Sequence, residues 1–254
     1  GGAARLIVAS GGLTSSRFYE LAGIPLPVVR ELSFDFPARP LVYGDIDGDG
    51  HPEVVELNPY SSPRVVRLID YATGLVKWSH TVQGAASSLV VAQLDDDAPL
   101  EIILTSSLPG LVLSGDDGSV EWSYAPGFGG EVHAGRFQND PQMRTFAARG
   151  GGTVGFRSQP YSPLYDLFPG PFGPRGAGTV YDVNGDGTDE LVLASDLIEP
   201  GFRAYDMATG QLVGSWSSSF VDSIAASFGR FQPGSPLLLA YGSSFGATTP
   251  PAGM

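Results

Sequence analysis

Short apolar runs recur along the chain and are separated by clusters of Gly, Pro, Asp and Asn. "RLIVAS" (5–10), "EVVEL" (53–57), "EIILT" (101–105), "ELVLA" (190–194) and "PLLLAYG" (236–242) are the clearest. They are strand-length, the first three are rich in β-branched residues, and all lie between turn-forming residues. Gly and Pro interrupt every window long enough for a helix, which argues against helical repeats. The pattern predicts an all-β protein.

The runs belong to a repeat. "DIDGDGHPEVVEL" (45–57) aligns without a gap on "QLDDDAPLEIILT" (93–105) and "DVNGDGTDELVLA" (182–194). Two worn copies, "RFQNDPQMRTFAA" (136–148) and "RFQPGSPLLLAYG" (230–242), share the frame. The anchors at 45, 93, 136, 182 and 230 are 43 to 48 residues apart. "RLIVAS" is a sixth copy of the apolar half, and its acidic loop would lie upstream of Gly1. Between the loops, "DYATGLVKW" (70–78), "SGDDGSVEW" (114–122) and "YDMATGQLVGSW" (205–216) read as hairpins around an Asp/Gly turn. Each unit then reads as loop, strand, two-stranded hairpin and an outer strand. Four strands in about 45 residues is the blade of a β-propeller. The prediction is one propeller domain over 1–242, of five to six four-stranded blades, with a Pro-containing tail over 243–254.

The acidic loops carry the candidate chemistry. Oxygen ligands at alternate positions, a Gly at the sixth that permits a sharp bend, a carbonyl at the seventh and a last carboxylate supply what Ca²⁺ prefers. In the first loop these are Asp45, Asp47, Asp49, the carbonyl of His51, and Glu53; in the second, Asp182, Asn184, Asp186, the carbonyl of Thr188, and Glu190. A weaker version has Gln93, Asp95, Asp97 and Glu101, with Ala98 in place of Gly. In the copy at 136–144, Arg136 and Arg144 flank Asp140, and a fixed guanidinium charge takes the place of metal. The copy from 230 has Arg230, Gln232, Gly234 and Leu238, and is expected to bind nothing. Asp-Gly and Asn-Gly are also the commonest turn dipeptides, so any one loop alone reads equally as a solvated turn.

A helical calcium hand also fits Asp45 to Glu56 literally. Leu193 and Leu104 stand where Glu56 would recur, Pro52 lies inside the loop, and "EVVEL" follows as a strand. The Glu56 match reads as coincidence, with the ion held between strands.

Taken together, the acidic loops resemble the FG-GAP or VCBS repeats of integrin-type propellers, and the Asp-x-x-Thr-Gly…Trp turns resemble the blades of PQQ-like propellers. The resemblance spans nearly the whole chain and departs most in "GTVGFRSQPYSPLYDLFPGPFGP" (152–174), which has no Thr-Gly turn and no Trp. It implies that these loop positions hold calcium; because such ligands already saturate the ion, it is expected to stabilise the loop rather than perform chemistry.

Composition narrows the function. Hydrophobic residues make up 42% of the chain, enough for a sizeable core. A net charge of -13, with one lysine (Lys77), argues against nucleic acid. The absence of Cys excludes disulfides and thiol chemistry, and no apolar run approaches a membrane span. His51, His80 and His133 fall in different repeats, and there is no nucleophile elbow or phosphate loop. Trp78, Trp122 and Trp216 recur as candidate packing wedges between sheets, or else as platforms for a sugar or a quinone. The leading expectation is a non-enzymatic extracellular, cell-surface or periplasmic module, stabilised by Ca²⁺. It acts in adhesion or assembly through protein partners or self-association, with open sheet edges as one route. The alternative is a lectin that uses loops 58–64, 125–131 and 160–175, with Tyr60, Phe128, Tyr161 and Phe172 stacking on a glycan. A polysaccharide lyase or quinoprotein is the third reading.

Overall fold

A computed structural model describes residues 5–11, 16–22, 28–34, 41–58, 60, 62–95, 97–137, 145–149, 153–157, 161–166, 178–194, 201–217, 223–229 and 238–243. The strands form a series of antiparallel meanders in which each pairs with the next. The first sheet is β1 (Arg5–Gly11), β2 (Ser16–Ala22) and β3 (Val28–Phe34). The second is β4 (Leu41–Gly44), β5 (Glu53–Asn58), β6 (Arg64–Asp70) and β7 (Val76–Val82). The third is β8 (Gly84–Ala92), β9 (Glu101–Ser107), β10 (Gly110–Ser114) and β11 (Val120–Tyr124). The fourth is β12 (Glu131–Gly135), β13 (Thr145–Arg149), β14 (Thr153–Arg157) and β15 (Ser162–Asp166). The fifth is β16 (Gly178–Tyr181), β17 (Glu190–Ala194), β18 (Gly201–Asp206) and β19 (Gln211–Ser217). A last pair joins β20 (Ser223–Gly229) to β21 (Leu238–Ser243). There is no helix among the described residues.

The six apolar runs of the sequence are therefore β1, β5, β9, β13, β17 and β21. One expectation is corrected. The fourth strand of each repeat does not flank its own hairpin; Gly84–Ala92, for example, pairs with Glu101–Ser107 beyond the next acidic loop. Each acidic loop is thus the connection between the first two strands of one sheet. The hairpins are as expected. Asp70 Oδ1 accepts the hydroxyl of Thr73 at 2.6 Å, the Gly74 N–H donates to the Asp70 carbonyl at 2.8 Å, and Gly210 repeats that bond to Asp206 at 2.7 Å.

The chain divides into two compact units, 1–93 with 97–132 and 94–96 with 133–254. In the first, Val55 and Leu57 of β5 pack with Val66, Leu68, Leu89, Ile102, Leu104 and Leu113. All six residues of β5 are buried, including the polar Glu53, Glu56 and Asn58. In the second unit, Phe137, Leu191, Leu193, Tyr205 and Met207 form a core against Val180.

The tail beyond Ser243 lies outside the described residues, as do Asp140, Arg144, Arg230, Gln232, Gly234 and Phe172. No helix is long and apolar enough to cross a membrane among the described residues.

Candidate cation-binding loops

The first acidic loop runs from Gly44, the end of β4, to Glu53, the start of β5. Glu53 is placed by antiparallel pairing between Gly44 and Asp70, and it is fully buried. A buried carboxylate needs hydrogen bonds to both oxygens. Oε2 accepts the N–H of Ile46 at 2.9 Å, which pins the beginning of the loop to its end. Further bonds shape the interior: Gly50 N–H to Asp45 Oδ2 at 3.1 Å, Asp49 N–H to Asp47 Oδ1 at 3.3 Å, and His51 N–H to Asp49 Oδ1 at 2.8 Å. Gly50 has φ +87°, the left-handed bend anticipated for the sixth position.

The second loop repeats this scaffold bond for bond between β16 and β17. Val183 N–H donates to Glu190 Oε2 at 2.8 Å, Gly187 N–H to Asp182 Oδ2 at 3.0 Å, Asp186 N–H to Asn184 Oδ1 at 2.8 Å, and Thr188 N–H to Asp186 Oδ1 at 2.8 Å. Gly187 has φ +91°. The Thr188 hydroxyl also donates to Asp186 Oδ1 and, with the backbone bond, holds that carboxyl below its ordinary value. Burial pushes the Glu190 carboxyl up, against the Val183 hydrogen bond, and the charges of Asp186 and Asp182 push it further.

The loops differ at their centres. In the first, carboxylate oxygens of Asp45, Asp47 and Glu53 lie within 4.8 Å of one another, close enough to share one ion. The Lys77 ammonium already reaches this group. It pairs with Asp47, donates to Asp49 Oδ2 at 2.8 Å, and lies 3.2 Å from Glu53 Oε1. Partial burial of the ammonium works against its charge, but the three carboxylates hold its pKa well above the ordinary lysine value. The same bond lowers the Asp49 carboxyl. In the second loop the amide Nδ2 of Asn184 holds the equivalent oxygens, Asp186 Oδ2 and Glu190 Oε1, each at 3.0 Å. An amide turned half a revolution offers oxygen in place of nitrogen at almost the same point. Both loops therefore present hard oxygen donors, which suit a hard divalent cation.

The third loop is built differently. The Gln93 amide donates to the carbonyls of Asp97 at 2.6 Å and Pro99 at 3.2 Å, closing the turn internally. Asp95 is half-buried and Asp97 exposed. Glu101 is buried at the start of β9, and Glu121 of β11 brings a carboxylate oxygen within 4.8 Å of it. Sequence reasoning missed Glu121, because it reaches the loop only through sheet pairing. Lys77 was missed for the same reason. At the worn copy, Arg136 offers its backbone N–H to Asp189 Oδ2 at 2.6 Å and its carbonyl to the Asp189 N–H at 2.7 Å.

Glu56 plays no part in the loop. It is buried on β5 and paired with Arg67 of β6 at 3.3 Å. Trp78 is a packing wedge: its Nε1–H donates to the Gly115 carbonyl at 2.8 Å, and its ring lies against Gly118. Trp78 and Trp122 share one register, opposite Leu68 and Val112, whereas Trp216 lies two residues further along, opposite Phe202, and Gly214 takes the matching place. One candidate sugar platform is also corrected. Phe128 is buried and stacks on Tyr124, ring centres 5.7 Å apart, because its loop folds back under Gly110. Tyr60 is 72% exposed, and Tyr161 is half-buried. His51, His80 and His133 lie in a loop, on β7 and on β12.

No protein-family model matches this sequence, and no curated protein does. Among solved structures, the chain is similar to the V. cholerae biofilm matrix protein Bap1. The TM-score is 0.60 and the identity 18%, over 89% of this chain and 38% of that one. The two share an all-β fold over most of this chain, which spans 38% of the length of that protein.

Proposed function

We propose that residues 1–242 form one calcium-stabilised β-propeller module, with 243–254 as a tail. It acts outside the cell in adhesion or matrix assembly, through contacts with proteins or with copies of itself, and it is not an enzyme. The observation that carries the assembly reading is the fold likeness to a biofilm matrix protein over 89% of the chain. The successive four-stranded meanders with a repeated acidic loop support the propeller. The oxygen-only donor sets at Asp45–Glu53 and Asp182–Glu190 support calcium, which is abundant outside cells.

Light scattering of the purified chain, in EDTA and in millimolar Ca²⁺ without glycan, tests the assembly reading. Ordered multimers, or capture of matrix proteins by the Ca²⁺-loaded chain, are expected. A monomer under all conditions that binds glycans in an array would replace this reading with the lectin.

A further inference from the structure

In five sheets the last two described strands slip register by one residue at a corresponding place, so that the last strand carries one extra residue there. The extra residues are Val29, Lys77, Glu121, Leu164 and Val213. A bulge of this kind re-aims a side chain. In the second sheet it aims the only lysine of the chain at the centre of the Asp45–Glu53 loop. In the fifth sheet the same position is Val213, 45% exposed and uncharged.

In the second and fifth sheets the loop residue and the bulge residue change together in charge, whereas the third sheet sets the acidic Glu121 beside Glu101. The first loop has Asp47 where the second has Asn184, and Lys77 pairs with Asp47. The neutral pair Asn184 and Val213 is thus exchanged for an ion pair. Lys77 Nζ and Asn184 Nδ2 hold corresponding oxygens, Asp49 Oδ2 with Glu53 Oε1 and Asp186 Oδ2 with Glu190 Oε1. The consequences for an incoming ion differ. Asn184 can turn its amide, at the cost of the bond that its Oδ1 accepts from the Asp186 N–H, whereas Lys77 must leave entirely, giving up bonds to three carboxylates, one of them buried.

We infer that Lys77 is the resident cation of the Asp45–Glu53 loop: a tethered ammonium, delivered by the bulge, that keeps the loop in shape without metal and that a divalent ion must displace. This rests on the reading of these loops as cation sites. A charge-assisted hydrogen bond is strong enough that removing Lys77 raises the ion affinity of this loop about tenfold or more. A tether also keeps the ammonium at an effective concentration on the order of millimolar, comparable with the competing ion.

The test uses the full chain carrying Asp186→Ala, which silences the second loop, with and without Lys77→Met. Melting temperature is read in EDTA and across a Ca²⁺ titration, with calorimetry for affinity. Lys77→Met should lower the melting temperature in EDTA, and Ca²⁺ should restore it at concentrations at least tenfold below any that act on the Lys77 parent. Lys77→Arg, which keeps the charge, should stay near the parent in EDTA. Equal Ca²⁺ affinity in parent and Lys77→Met overturns the role of Lys77 but leaves the loop a cation site. No Ca²⁺ response in either overturns both. Should Lys77→Met not fold, acetylation of Lys77 in the wild-type chain, followed by mass spectrometry, decides instead. Slow acetylation in EDTA that accelerates as Ca²⁺ saturates supports displacement; fast acetylation in EDTA overturns it.

Discussion

The indole nitrogen of Trp78 donates to the carbonyl of Gly115 at 2.8 Å, which ties the edge strand of the second sheet to the hairpin turn of the third. A Cβ added at Gly118 would stand 2.7 Å from the same ring. The Asp/Gly turn of one repeat therefore receives the Trp of the repeat before it. Alongside, the Leu100 N–H donates to the Ile46 carbonyl at 2.7 Å, and Gly48 lies so close to the backbone of Ala98 that no side chain fits.

Trp78→Phe should destabilise the chain by about 1–3 kcal/mol, through the lost hydrogen bond and the smaller ring. Gly118→Ala should do the same by clash, since its φ of +71° already disfavours a side chain. Because the two act on one contact, the double variant should lose clearly less than the sum. Urea unfolding checks this, and strict additivity would separate the two residues.

Removal of divalent ions should lower the melting temperature of the wild-type chain, and Ca²⁺ should restore it more than Mg²⁺ does. At a hundredfold excess over the dissociation constant the gain is about 2.7 kcal/mol. Asp186→Ala should abolish most of that gain. An unchanged Ca²⁺ response in this variant would remove the second loop from the list of sites.

Glu56 sets a pH dependence of opposite sign to an ordinary paired carboxylate. Burial lifts its carboxyl from 4.5 to about 7, with Arg67 opposing. The folded chain keeps this proton where the unfolded chain releases it, so stability falls as pH rises from about 4.5 to 7 and levels off above. The effect is at most about 3 kcal/mol. Glu56→Gln should flatten that part of the curve, seen as a smaller difference between urea midpoints at pH 5 and pH 8. A curve identical to wild type would mean that Glu56 is ionised throughout.

Tyr60 separates the lectin from the assembly reading. At 72% exposure its ring has little packing to lose, so Tyr60→Ala should change stability by less than about 0.5 kcal/mol. If the chain binds glycans through this loop, the same change should abolish binding on an array. Under the assembly reading it should leave multimers intact unless the ring lies in the contact itself.

Much of the fold was legible because its signals are local. The apolar runs that begin at 5, 53, 101, 190 and 236 are strands from Arg5, Glu53, Glu101, Glu190 and Leu238. The bends at Gly50 and Gly187 follow from position in the loop, because only glycine adopts that conformation readily. Phe128 misled because an aromatic ring in a polar loop reads the same whether it faces solvent or folds inward.

By itself the sequence determined where strands begin, where the chain turns and which carboxylates share a loop. Each of these depends on residues within about one repeat of local pattern. Only the tertiary structure decided which sheet receives each fourth strand, and which distant side chain enters the first and third acidic loops. Lys77 meets Asp49 and Glu53 across 28 and 24 residues of chain, and it does so through one unpaired residue in an edge strand. A bulge of one residue changes which way a side chain points, and no alternation of polar and apolar positions announces it.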